Sequence, residues 1–159
     1  DLHFKDKDDI VVTLIKLDTE MEKVLMEKTC SVTNNAIEET YAFSSIIIEK
    51  LKDLNSSVMY DLEKYHPKAW NLFTEHKRGY VYQCIKNNLE RGLNEGLYRS
   101  NLNPEIVAKL YSEKIDMLFD KDLFPNDTYT FTEVYSEMMR YHLKGIVSKE
   151  GLNYLKEKE

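Results

Sequence analysis

The chain has 159 residues, of which 42% are hydrophobic and 31% are charged, and its formal net charge at pH 7 is −6. A chain of this length suits one domain that buries about two thirds of its unfolded surface. Its composition excludes an intrinsically disordered protein, and its five glycines and three prolines favour long helices over a turn-rich β fold. The acidic balance argues against a protein that wraps nucleic acid by itself.

Cysteine usage and hydropathy exclude further classes of protein. Cys30 and Cys84 stand alone, without the spacing of a zinc site or a disulfide framework, so we expect neither a metal nor a cofactor. The apolar run Ile46–Ile48 is far shorter than the roughly 20 residues that span a bilayer. These features predict a cytoplasmic protein without a membrane partner.

Helices are predicted along almost the whole chain, from apolar residues at helical spacing and from capping residues. Asn103-Pro104-Glu105 and Thr130-x-x-Glu133 are strong start signals, because their side chains and first-turn residues satisfy free backbone amides. Breaks are predicted at 29–33 and 55–57, and a loop at 120–127. The predicted helices span about 7–28, 35–54, 56–65, 67–93 or 67–96, 104–119 and 131–146, with a short last helix after Ser148.

The first ten residues combine a helix end, a basic turn and the start of a new helix. Asp6 is placed to accept hydrogen bonds from the first turn, where Asp8 and Asp9 add negative charge at the positive end of the helix dipole. A helix N-terminus beside lysines also suits phosphate binding. The alternative is a lysine-rich surface turn, and the spacing alone does not separate the two.

Three further segments follow along the chain in this order: Tyr65–Trp70 (YHPKAW), Asn88–Arg99 (NLERGLNEGLYR) and Leu123–Pro125 (LFP). Together with His3–Ile10 they resemble TetR-family transcription regulators of the kind common in Bacteroidetes, over essentially the whole chain. The resemblance implies an all-α fold of the TetR C-terminal-domain type. Within the Asn88–Arg99 segment we interpret Gly96 as a helix C-cap and Gly92 as a packing gap.

The resemblance also implies two parts. Residues 1–7 are the remnant of the end of an N-terminal helix-turn-helix domain, and residues 8–159 are a helical ligand-binding and dimerisation domain. One departure is Asp1, which stands where the family usually has a tyrosine. The residues implied to lie over DNA phosphates are His3, Lys5 and Lys7.

By the same resemblance, a small-molecule effector of unknown identity binds between the helices of the second part. Tyrosine, tryptophan and asparagine side chains there offer polar groups that orient a ligand. The alternative is that any one of these residues belongs to an ordinary core. The pocket candidates are Tyr41, Ser45, Met59, Trp70, Phe73, Tyr80, Cys84 and Asn88.

The last two long helices have apolar residues on more than one face, which is too many for a helix that packs on one side. We expect Leu110 and Ile115 to face the core. The apolar residues on the other face of these helices predict that two copies of the chain pair in a two-fold four-helix bundle. The alternative is a monomer with a thick core. The interface candidates are Tyr111, Lys114, Leu118, Tyr135, Met138 and His142.

Catalytic motifs are absent from the sequence. Glu63-x-x-His66 is half of a carboxylate-bridged metal signature without a second copy, and no serine-hydrolase elbow or zinc-protease motif occurs. We expect a repressor-like regulator that binds operator DNA through a helix-turn-helix ahead of Asp1, and in which an effector shifts the helix that starts at Lys7. The alternative is a helical interaction module without a small ligand. An internal cavity favours the first, and a solid core favours the second.

Overall fold

The computed structural model describes residues 3–54 and 56–158, which form eight α-helices. A π-helical turn, Lys77–Val81, joins α4 to α5, and a 3-10 turn, Ile115–Phe119, continues α6. Asp1 and Asn55, the first residue of the break predicted at 55–57, lie outside the described residues, whereas Ser56 and Ser57 begin a helix. The helices are α1 (Lys7–Val32), α2 (Ala36–Leu51), α3 (Ser56–Tyr65), α4 (Pro67–His76), α5 (Tyr82–Asn94), α6 (Pro104–Lys114), α7 (Phe131–Ile146) and α8 (Lys149–Lys158).

The all-α class is confirmed, and the predicted capping residues begin the helices. Asp6 Oδ1 accepts a hydrogen bond from the Asp9 amide at 2.9 Å, and Asn103 caps α6 in the same way. Thr130 and Glu133 form a reciprocal capping box at the start of α7. Local sequence is sufficient for these starts because each cap satisfies amides that have no partner inside the helix.

Two predicted helix limits are wrong. α1 continues to Val32, through most of the break expected at 29–33. The hydroxyls of Thr29 and Ser31 donate to carbonyls of the preceding turn, at 2.8 and 2.7 Å, so both side chains are satisfied within the helix. The long helix expected from Pro67 is interrupted by the π turn. Lys77, within that turn, is buried and places its ammonium 2.5 Å from Asp116, which is a tertiary contact that no local pattern indicates.

The hydrophobic core lies between α2, α5, α6 and α7, with α8 contributing Leu155. α1 packs across α2 and α4 at its edge. The interpretation of the two glycines is confirmed. A Cβ at Gly92 would overlap the ring of Tyr98, and Gly96 ends α5 with a φ of +74°.

Candidate functional site

The basic turn at the start of α1 is exposed. His3, Lys5 and Lys7 are all on the surface, and within the described part of the chain neither lysine ammonium forms an ion pair. The Lys5 amide donates to Asp9 Oδ2 at 3.2 Å, which fixes the turn to α1. The free ammonium groups are therefore available to a phosphate, and the DNA-contact role of these three residues stays a prediction.

An apolar stripe continues from this turn along α1. Its members lie three or four residues apart, which places them on one face of the helix, and each is more than one-third exposed. Isolated exposed apolar residues are normal, whereas a continuous stripe of this length marks a contact surface. The stripe consists of Ile10, Leu14, Leu17, Met21 and Val24.

A buried ionic cluster joins α1 to α2 and α4. Glu22 is 3% exposed, accepts a hydrogen bond from His76 Nε2 at 2.9 Å and forms an ion pair with Lys50. Lys50 also pairs with Asp18 at 2.8 Å. Burial alone would raise the pKa of Glu22, but the hydrogen bond with His76 and the charge of Lys50 outweigh it and leave the pKa below its usual value. The cluster fixes α1 to the helices beneath it.

The start of α1 is also tied to the corner between α3 and α4. His66 immediately precedes α4, and its Nδ1 lies 3.0 Å from Asp8 Oδ1 in the first turn of α1. Glu63, its partner in the half metal signature, is exposed on α3 instead. This contact joins the α3–α4 corner to the first turn of α1.

Asn88, a predicted pocket residue, belongs to a saturated core network instead. Its Nδ2 donates to Ala36 O and Glu39 Oε1, both at 2.9 Å. Its Oδ1 accepts from Tyr98 Oη at 2.7 Å and from Thr40 Oγ1 at 3.0 Å. With all its donor and acceptor positions in use, Asn88 has no group left for a ligand.

The cavity beside this network is small. It is lined by residues of α2, α5, α6 and α7, and its volume is about 30 Å³. That volume holds one or two water molecules, whereas ligand pockets are usually on the order of 300–1,000 Å³. The core of this structure is therefore nearly solid at the place where the sequence predicted a ligand.

The structure does not bring the eight predicted pocket residues together. Tyr41 and Ser45 are exposed on α2, and Asn88 is in the core network. Tyr80 stacks on His76 and donates its hydroxyl to Lys23 O at 3.2 Å, near the buried ionic cluster. Cys84 lies beside Tyr80, and Phe73 stacks on Trp70.

Met59 and Trp70 do share a cavity, which we call the α3–α4 pocket. It lies between α3, α4, the 3-10 turn and the loop that follows, with a volume of about 490 Å³. Its apolar wall consists of Met59 and the rings of Tyr60, Trp70 and Phe119. This cavity is large enough for a ligand, and two of the predicted pocket residues, Met59 and Trp70, line it.

The sequence-based pocket candidates include no residue of the polar wall of the α3–α4 pocket. This wall consists of four carboxylates and one ammonium group. The acidic and aromatic run from Asp116 to Asp122 is a usable signal, because it concentrates charged side chains where the 3-10 turn ends and the loop begins. The polar residues are Glu63, Asp116, Asp120, Lys121 and Asp122.

The prediction for the inward face of α6 and the turn that continues it is confirmed at Ile115, which is buried, and wrong at Leu110 and Tyr111. Leu110, expected in the core, is 58% exposed, whereas Tyr111 is buried. Tyr135 and Met138 are buried as well, and the hydroxyls of Tyr111 and Tyr135 lie 2.9 Å apart. These three residues lie in the core of a single chain, so their assignment to a dimer surface is corrected: the paired hydroxyls satisfy each other inside the domain.

The other predicted interface residues are half-buried. His142 packs on Tyr111, and burial together with the charge of Lys114 lowers the pKa of His142 to about 4. Lys114 and Leu118 line a groove of about 390 Å³ between α6 and α7. The exposed apolar residues of this surface, which we call the α6–α7 face, are Ile106, Leu110, Met117 and Tyr141.

The fold matches a known regulator. The chain superposes on the ketosteroid transcriptional regulator KstR2 of Mycobacterium tuberculosis with a TM-score of 0.62. The match covers 92% of this chain and 76% of that chain, at 15% sequence identity. This chain has the TetR-regulator fold.

The TetR-regulator fold is established by structure alone. No family model matches the sequence, and no curated protein matches it. None of the described helices is both long enough and apolar enough to cross a membrane. Among the described residues, no group of three or more histidine, cysteine or acidic side chains is arranged to hold a metal ion.

Proposed function

We propose that this chain is the effector-binding and dimerisation part of a DNA-binding, repressor-like transcription regulator. Residues 1–7 are then the end of a helix-turn-helix domain, and residues 8–159 the regulatory part. The observation that carries the proposal is the fold shared with a transcriptional regulator over 92% of the chain. At 15% identity that neighbour suggests the class of protein and not its ligand.

The exposed surface of α1 supports a DNA-binding domain at this end. The lysines of the basic turn have no anionic partner within the described residues, and the apolar stripe starts next to that turn. A domain packed against Ile10, Leu14 and Leu17 would cover apolar surface while the lysines reach phosphates. This arrangement reconciles an acidic regulatory part with DNA binding.

The contacts of α1 support an effector switch. The α3–α4 corner contacts the first turn of α1 through His66 and Asp8, and α4 holds its middle through His76 and Glu22. A ligand that moves α4 therefore moves α1 with it. Such a ligand regulates DNA binding only if its affinity differs between the two positions.

The α6–α7 face supports a homodimer. Four large apolar side chains on it are more than half exposed, and two of them, Met117 and Tyr141, line the groove. A two-fold axis that pairs this face with its copy would bury these side chains in a four-helix contact. Two DNA-reading domains would then be held at a fixed separation.

The small core cavity favours the second candidate function, a helical interaction module without a small ligand. With about 30 Å³ of space, the core holds no effector in this conformation. The α3–α4 pocket, with a volume of about 490 Å³, is large enough for a small molecule and therefore supports the first function. Saturable binding of a small molecule to that pocket distinguishes the two functions.

The proposal is tested on the full-length gene product, including any residues encoded ahead of Asp1. DNase footprinting on the DNA that flanks its own gene should show a protected segment with two similar half-sites. The 159-residue chain alone, as a matched control, should protect nothing. Absence of protection at low salt, or an upstream sequence without a helix-turn-helix, would contradict the regulator proposal.

A further inference from the structure

We propose that the α3–α4 pocket binds a small organic cation, of the quaternary ammonium or amidinium class, between its aromatic rings and its free carboxylates. Binding of such a cation to the pocket is independent of DNA. Only the further step, that this cation is the effector, rests on the proposed function.

The charges of the pocket select a cation. Four carboxylates and one ammonium line it, and two of the carboxylates are already engaged. Asp116 pairs with Lys77 at 2.5 Å, and Asp120 Oδ1 accepts two backbone amides, at 2.9 and 3.2 Å. Within residues 3–54 and 56–158, Glu63 and Asp122 form no ion pair, so their charges are available to a ligand.

The apolar wall selects an organic cation over a metal ion. Tyr60, Trp70 and Phe119 present three aromatic rings to the same cavity. Aromatic faces attract ammonium groups with low hydration, especially quaternary ones. A metal ion would need several oxygen ligands at short range, and the described residues contain no such group.

The face of Tyr60 already interacts with cations of the chain itself. The Lys64 ammonium lies 5.4 Å from the centre of the Tyr60 ring, and the Lys121 ammonium lies 6.0 Å from it. Lys121 also lines the pocket. We therefore infer that Lys121 is an internal competitor, whose ammonium occupies the region where a ligand cation would bind.

Ligands of other charge fit the pocket less well. An anion would be repelled by the excess of carboxylates. A neutral apolar molecule would exclude water from Glu63 and Asp122 without replacing the hydrogen bonds that the water makes. The volume of about 490 Å³ accommodates an aromatic quaternary amine. Benzyltrimethylammonium has both the charge and the ring, so it is a suitable probe.

The chain carries its own reporter of binding. Trp70 is the only tryptophan in the sequence, and it lines the pocket. Titration of the 159-residue chain with benzyltrimethylammonium at low salt should change the Trp70 fluorescence with a saturable curve and a half-point of about 1 mM or below.

Three exposed-site variants separate the proposal from a general salt effect. Glu63→Gln should weaken binding about fivefold, and Tyr60→Leu about threefold, because each removes one attraction of about 0.5–1 kcal/mol. Lys121→Gln should tighten binding about threefold, since it removes the competitor. Glu105→Gln, at the opposite end of α6 and paired there with Lys109, is the matched control and should leave binding unchanged.

Each result has a definite meaning. The proposal is overturned by the absence of a saturable change, by equal effects of Glu63→Gln and Glu105→Gln, or by weaker binding in Lys121→Gln. Circular dichroism of each variant identifies any loss of fold, and the exposed positions of Glu63 and Lys121 make that outcome separable from lost binding. If the cation binds as expected but leaves DNA affinity of the full-length protein unchanged, the site stands and the effector role fails.

Discussion

Replacement of Asn88 by alanine should destabilise the chain strongly. The Asn88 amide donates to the carboxylate of Glu39, which is buried, and to Ala36 O. A hydrogen bond to a charged group contributes about 1.5–3 kcal/mol and one between neutral groups about 1 kcal/mol. Loss of the acceptor for Thr40 and Tyr98 adds to this, so we expect a total loss of about 4 kcal/mol in the free energy of unfolding.

The measurement is urea unfolding followed by circular dichroism, together with a thermal melt. For a domain of this size, about 4 kcal/mol corresponds to a fall in Tm of about 8–16 °C. Asn87→Ala is the matched control, because Asn87 is exposed on the same helix and accepts one hydrogen bond from Gln83. It should change the stability by about 0.5 kcal/mol or less. A loss below about 1 kcal/mol for Asn88→Ala would refute the structural role of the network.

Three other substitutions test the packing at Gly92, the half-buried His142 and the proposed dimer surface. Gly92→Ala should destabilise by about 1–3 kcal/mol, because the new Cβ overlaps the ring of Tyr98; unchanged urea unfolding would contradict the close approach. His142 has a folded pKa of about 4, below its unfolded value of about 6.5, so unfolding takes up a proton. Its contribution to stability is therefore present above about pH 6.5 and is lost as the pH falls to about 4, and His142→Gln should flatten the pH dependence of the melt in that window. Leu110→Glu should convert a dimer to a monomer in light scattering, whereas Lys156→Glu on α8 should not; a dimer that persists in Leu110→Glu would show that the α6–α7 face is not the interface.

Local signals were sufficient for most of the fold. Asp6, Asn103 and Thr130 act on amides of their own helices, so their effect can be predicted from neighbouring residues. The π turn could not be predicted in this way. It contains Lys77, whose buried ammonium is paired with Asp116 of a distant segment.

The candidate site was less predictable because it depends on which helix face turns inward. Leu110 and Tyr111 are adjacent and both apolar, so the sequence pattern permits either one in the core. The structure favours Tyr111, whose hydroxyl finds a partner in Tyr135. For the pocket, the resemblance suggested Met59 and Trp70, but Glu63 and Lys121 come from exposed positions whose proximity is set by the packing of α3 against the loop.

The central claim is that this chain belongs to a DNA-binding regulator whose basic turn contacts phosphates. The most direct test is the salt dependence of DNA affinity of the full-length protein, measured by fluorescence anisotropy on DNA upstream of its own gene. For a dimer, Lys5→Gln with Lys7→Gln removes four phosphate contacts, and the slope of log K against log salt should become less steep by about 3–4. Lys16→Gln, an exposed position farther along α1, should leave the slope unchanged. No measurable affinity at low salt, or an identical slope in the double variant, would contradict the account.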